Sequence, residues 1–352
     1  MANMESLGQI PLAYASCSIG CRNEHTLPKK LAAISAAGFQ AIELSMSDLV
    51  SFANQHLGRA DPNEITGTSY DALCEAGTEV RRLCASQNLS ILVLQPFENF
   101  EGWPKASPEY RDAWDRVNGW VRIMQAVGTD LLQVGSSDSP AEKIGTDRAR
   151  FVEDLRDLAD LLASKGFRVA YENWCWSTHA PEWKDVWDIC QKVDRENFGL
   201  CLDTFQSAGG EWGDPRTSSG LREDAGRSKE QVLKDWEASC KSLAESIPKE
   251  KIFFLQISDA YRPKQPFEDK EIDGLRPRGR WSHDFRPLPF EGYLPVVDFT
   301  RAVLATGFRG WFSYEVFDGG PDGKGKDYEL DDLAKSAMAC QRRLMDACRA
   351  AA

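Results

Sequence analysis

Eight short apolar runs, each followed by a longer stretch with helical periodicity, leave this chain few ways to fold. The runs lie at 12–17, 41–44, 91–95, 131–135, 168–172, 199–203, 252–257 and 310–315. Ile252-Phe253-Phe254-Leu255 is apolar on both faces, as a strand covered on two sides must be. The segments between are amphipathic. In 151–162, Phe151, Leu155, Leu158, Leu161 and Leu162 form one stripe, with Asp and Glu opposite. Four helix-to-strand joints carry a glycine stop, at Gly38, Gly128, Gly166 and Gly307. Eight βα units predict a closed (β/α)8 TIM barrel of the α/β class. An open doubly wound sheet fits less well, because no G-x-G-x-x-G follows the first run. No shift of composition marks a second domain, so residues 1–352 read as one domain.

The chain is long enough to bury a large core without a disulfide or zinc staple. Its 42 Lys+Arg against 54 Asp+Glu give a formal charge of −12, which argues against a nucleic-acid partner. The ten cysteines include no C-x-x-C, so they indicate neither a zinc site nor a disulfide framework. No apolar run is long enough to span a membrane, and no leader pattern opens the chain. The expected location is the cytoplasm. A homo-oligomer is compatible with all of this.

In a barrel, chemistry sits at the C-terminal ends of the strands. Here strand five ends in Glu172, strand six in Asp203 and strand eight in Glu315, and strand seven carries Gln256. Three carboxylates on one rim repel one another unless a cation lies among them. An all-oxygen set of this kind suits Mg²⁺ or Mn²⁺ better than zinc, with Co²⁺ also acceptable. Two connections, 206–227 and 259–293, are too long for plain βα loops and are expected to form a lid over the mouth.

Four histidines are present. His25 lies beside Thr26 and Pro28, a helix-start pattern, and His56 lies in a polar stretch. His179 follows Glu172 by seven residues and is expected at the same mouth, as a proton donor or substrate contact. His283 lies in the second long connection beside Ser282, with Arg286 three residues on. Ser282 and Arg286 could hold a carboxylate, since a guanidinium binds one bidentately. Phe97, Phe100, Trp103, Trp174, Trp176, Trp183, Trp212 and Trp281 are expected around the rim, as pocket walls or as packing beneath the loops.

These residues resemble a known family. The run Tyr171-Glu172-Asn173-Trp174-Cys175-Trp176-Ser177-Thr178-His179 is one part of the likeness. Asn197-Phe198-Gly199-Leu200-Cys201-Leu202-Asp203-Thr204-Phe205 with Asp214-Pro215 is a second. Phe254-Leu255-Gln256-Ile257-Ser258-Asp259-Ala260 and the stretch from Trp281-Ser282 to Arg286 complete it. Together they resemble the fungal-type 3-dehydroshikimate dehydratases of quinate catabolism, in the xylose-isomerase-like TIM-barrel superfamily.

The resemblance implies a carbon–oxygen lyase that converts 3-dehydroshikimate to protocatechuate with a divalent metal held by Glu172, Asp203, Gln256 and Glu315. It implies that Ser282 and Arg286 bind the substrate carboxylate, with Gln95 and Gln206 as further substrate contacts. Proton transfer falls to Glu172, Glu315 or His179. One departure stands out: bacterial relatives carry His where this chain has Gln206, and an amide cannot act as a base. Two rival readings keep the barrel. One is a sugar or polyol isomerase or epimerase working through Glu172 and Glu315; the other is a catalytically inactive barrel that binds small molecules.

Overall fold

Alternation with a period of two along each strand sorts side chains into those facing the barrel axis and those facing the helices. The computed structural model describes residues 4–58, 64–223 and 226–350. In it eight parallel strands close in sequence order. They are β1 (Leu12–Ala15), β2 (Ala41–Ser45), β3 (Ser90–Phe97), β4 (Leu131–Gly135), β5 (Arg168–Glu172), β6 (Phe198–Asp203), β7 (Ile252–Ile257) and β8 (Trp311–Tyr314). The ring shuts where Phe312 of β8 pairs with Leu255 on one side and Leu12 on the other.

Ala13, Ala41, Val93, Leu131, Ala170, Cys201 and Phe254 belong to one buried cluster inside the barrel. Two residues further along the same strands, the inward positions turn polar: Glu43, Gln95, Gln133, Glu172, Asp203 and Gln256. All six are buried. Apolar below and polar above, the interior changes character at the end where the chemistry belongs.

The outer strand faces pack on the helices. Tyr14 meets Phe39 edge-on at 5.2 Å and stacks on Tyr314 at 6.1 Å. The helix Arg148–Ala163 buries Phe151, Leu155, Leu158 and Leu162, each worth roughly 1.5–3 kcal/mol when fully buried. Gly38, Gly128, Gly166 and Gly307 all have φ between 75° and 100°, the left-handed conformation that ends a helix.

Among the described residues both long connections contain regular structure. Asp203 caps a helix over Thr204–Glu211, so the first begins inside an element; an isolated bridge then joins Gly213 to Leu221. The second contains a helix over Pro277–Asp284 and a short strand, Phe285–Arg286. That strand pairs antiparallel with Phe317–Asp318, just past β8. The segment carrying Ser282 and Arg286 is thereby tied to the segment that follows Glu315.

Candidate active site

Glu172 ends β5, Asp203 ends β6 and Glu315 stands immediately after β8. One ligand oxygen from each comes within 4.8 Å of the others, and all three residues are buried. Each is fastened by neighbours. Glu172 Oε2 accepts from the Gln133 amide and from Trp174 Nε1. Asp203 Oδ1 accepts the backbone N–H of Phe205 and Gln206. Glu315 Oε1 accepts from Gln95 Nε2 at 3.2 Å and Gln256 Nε2 at 3.1 Å. Among the described residues the buried Glu172 Oε1 has no hydrogen-bond partner, and such an oxygen is a donor suited to a cation.

The Arg286 guanidinium lies against these acids. Its Nη2 is 2.6 Å from Asp203 Oδ2 and its Nη1 is 3.0 Å from Glu315 Oε2. Ser258 accepts from Nε and Nη2, and Ser282 from Nη1. The guanidinium carbon lies 4.6 Å from the centre of the Phe205 ring. Burial alone would favour losing the proton, but Asp203 and Glu315 outweigh it and hold the charge on Arg286. One positive charge does not balance three acids. Burial, then Glu315 and Asp203, push the Glu172 carboxyl well up; burial with Asp203 lifts Glu315 to about 7. The excess negative charge and the oxygen donors fit a hard divalent cation.

A cavity of about 790 Å³ opens over this cluster. Of the residues expected at the site, Glu172, Glu315, Gln95, Gln206, Ser282 and Arg286 line it. Gln206 Oε1 accepts the Cys175 N–H at 3.0 Å, which fixes its amide. Gln256 is fully buried beneath, with its amide nitrogen toward Glu315 and Glu43 and its oxygen toward Cys201 Sγ. Trp174 and Trp176 form part of the wall, stacked at 5.0 Å. Trp281 does not: it is buried against Phe205 and donates to the Tyr261 carbonyl.

His179 is not among the lining residues, contrary to expectation. Its Nε2 lies 2.8 Å from Glu101 Oε1, and its ring stacks on Phe151 at 3.9 Å. Tyr171, on β5, donates to the same Glu101 oxygen. The connection after β5 therefore turns outward, and seven residues carry His179 behind the wall rather than into the mouth.

Two residues of the polar layer escaped the sequence reading, Glu43 and Gln133. Glu43 is fully buried and accepts from Gln256 Nε2 at 2.9 Å. Burial and then Glu315 push its carboxyl up to about 8. The signal was there: each lies two residues beyond an inward apolar residue on its strand. Attention to strand ends alone misses them, because β2 and β4 run on past their polar position.

A closed barrel with three acids at its C-terminal rim defines a class. The chain belongs to the xylose isomerase-like TIM barrel family, whose profile matches residues 31–344. It is similar to a 3-dehydroshikimate dehydratase of Neurospora crassa, 32% identical over 349 residues, covering 95% of this chain and 94% of the relative. A 3-dehydroshikimate dehydratase of Pseudomonas aeruginosa is 33% identical over 295 residues, 84% of this chain but only 37% of that longer protein. Among solved structures, a xylose isomerase-like TIM barrel/4-hydroxyphenylpyruvate dioxygenase fusion protein superposes with a TM-score of 0.69 at 27% identity, covering 97% of this chain and 44% of its own.

Proposed function

We propose that this protein is a 3-dehydroshikimate dehydratase, a carbon–oxygen lyase that removes one water and yields protocatechuate. The observation that carries the reading is one cavity joining a buried three-acid cluster to a buried guanidinium. Likeness to two proteins bearing that name supports it. Three relatives that carry the dehydratase name weigh against the isomerase alternative.

In this reading Glu172, Asp203 and Glu315 would hold a divalent cation, Mg²⁺ or Mn²⁺ in preference to Co²⁺. Gln256, whose amide nitrogen lies 3.1 Å from Glu315 Oε1, would be the fourth residue of the set. When bound, the cation would supply positive charge that stabilises the enolate formed on loss of a proton from the carbon next to the ketone. Ser282 and Arg286 take the substrate carboxylate. All five N–H groups of Arg286 are engaged within the protein, so the carboxylate takes over bonds now made to Asp203 and Glu315. Gln95 and Gln206 contact the ring from the wall, and Trp174 and Trp176 keep bulk water from that side.

The same reading treats residues 1–352 as one domain, since a single barrel runs from residue 12 to 314. It places the enzyme in the cytoplasm, acting on a small acid rather than on nucleic acid or membrane; a homo-oligomer remains compatible. Among the described residues no helix is long and apolar enough to cross a membrane. The test is direct. Protein loaded with Mn²⁺ or Mg²⁺ is mixed with 3-dehydroshikimate, and protocatechuate is followed by its ultraviolet absorbance. Failure of that absorbance to grow with either metal overturns the assignment.

A further inference from the structure

Dehydration needs one group to take a proton from carbon and one to give a proton to the departing hydroxide. In the dehydratase reading Glu172 and Glu315 would hold the cation, and the Gln206 amide can do neither. Of the four histidines, His179 is paired with Glu101 behind the wall. His25 takes the Cys21 N–H on its Nδ1 and lines a different, smaller cavity, and His56 stacks on Phe52. His283 alone of the four lines the cavity above the acid cluster.

Its geometry suits proton transfer. His283 Nδ1 lies 2.7 Å from the Gly279 carbonyl oxygen, which can only accept, so Nδ1 carries the hydrogen. The neutral ring then has its lone pair on Nε2. Among the described residues Nε2 has no hydrogen-bond partner. The Phe317 ring lies nearly parallel, 25° away at 6.3 Å, and Trp176 flanks it at 6.2 Å. The Gly279 carbonyl sets the tautomer of this exposed side chain, and the basic nitrogen is left uncommitted.

We propose that His283 is the proton-transfer residue of this site, an assignment that rests on the dehydratase reading above. Nε2 takes the proton from the carbon between the ketone and the carbon bearing the leaving hydroxyl, and the C–H electron pair passes to the ketone oxygen as an enolate. The enolate re-forms the ketone and expels the neighbouring hydroxyl, which leaves as water with the proton returned from the imidazolium. A ring proton then moves from carbon to the ketone oxygen and the product is aromatic. Nothing is oxidised overall, and His283 ends neutral as it began.

Two variants separate this role from a structural one. His283→Asn keeps an N–H for the Gly279 carbonyl but removes the ring's far nitrogen; His283→Ala removes both. Both are expected to lower kcat on 3-dehydroshikimate about 100-fold or more, with KM changed less than about threefold. Added imidazole should restore His283→Ala at least tenfold. Three results overturn the role: His283→Asn within threefold of wild type, loss in His283→Ala only, or loss in both without rescue. A wild-type protein that leaves 3-dehydroshikimate unchanged instead sinks the dehydratase reading, and the His283 role falls with it.

Discussion

Arg286 is the residue on which most of the site's charge balance turns. It is 1% exposed and bridges Asp203 and Glu315, so its removal leaves two buried carboxylates without their counter-charge. Breaking a buried pair in this way costs roughly 3–5 kcal/mol. Arg286→Ala is therefore expected to lose stability sharply when no divalent cation is present, and less when one is added to balance the acids. Arg286→Lys should recover part of the loss, because an ammonium can reach one acid but cannot span both. On 3-dehydroshikimate the Ala variant should also show a strongly raised KM, since a charge-assisted hydrogen bond contributes roughly 1.5–3 kcal/mol. Melting curves with and without Mn²⁺, beside steady-state kinetics, check both statements. Wild-type KM in a folded Arg286→Ala enzyme rules out the carboxylate contact.

At the scale of elements, the strand ends do more than carry ligands. Gly135 closes β4, and a Cβ there would come within 2.2 Å of the Trp174 indole, whose Nε1 donates to Glu172 Oε2 at 3.1 Å. Gly135→Ala should push the indole away, free Glu172 and weaken divalent-cation binding about tenfold or more, which titration calorimetry would measure. Unchanged affinity would mean that Trp174 does not hold the ligand. A second case lies on the helix Arg148–Ala163. There Asp154 is buried and accepts the Gly102 N–H at 2.8 Å on one oxygen, while the other has no partner among the described residues. Burial raises its carboxyl to about 6. Because the folded value lies above the ordinary one near 3.9, stability present below about pH 4 is lost as pH rises toward and past 6, roughly 2–3 kcal/mol in all. Asp154→Asn should thus melt higher than wild type at pH 8 and equally near pH 4; equal curves at both would remove the argument. Neither feature was legible beforehand, although the eight strands and the acids were. A period of two and a strand's last residue are local facts, whereas the approach of Trp174 to Gly135, or of Gly102 to Asp154, depends on how connections fold back. For the same reason Glu172, Asp203, Glu315, Ser282 and Arg286 could be placed at one mouth, while His179, expected there from its spacing to Glu172, lies instead against Glu101 and Phe151.

For the molecule as a whole, a cation held by the cluster would couple its binding to closure of the barrel. Glu172, Asp203 and Glu315 come from three separate βα units and meet only when β8 pairs with both β7 and β1. An unfolded chain scatters them, so a cation that needs all three binds the folded state alone and stabilises it by mass action. At a free concentration one hundred times its Kd the gain is about 2.7 kcal/mol. The unfolding entropy of a chain of this length is ~0.7 kcal/mol per degree, so Tm should rise by about 4 °C with saturating Mn²⁺ or Mg²⁺ over chelator-treated protein. Ordinary screening of the net charge of −12 would also stabilise the fold, so the comparison belongs at matched ionic strength. Glu172→Gln supplies the control, since it replaces one charged ligand with an amide. Its metal-dependent shift should shrink to under about 1 °C while its chelated Tm stays near or above that of wild type, because one member of a repelling buried cluster has been neutralised. Equal metal-dependent shifts in wild type and Glu172→Gln would place the stabilising cation elsewhere on this acidic surface, and no shift in wild type would leave the three acids without the ion that their geometry calls for.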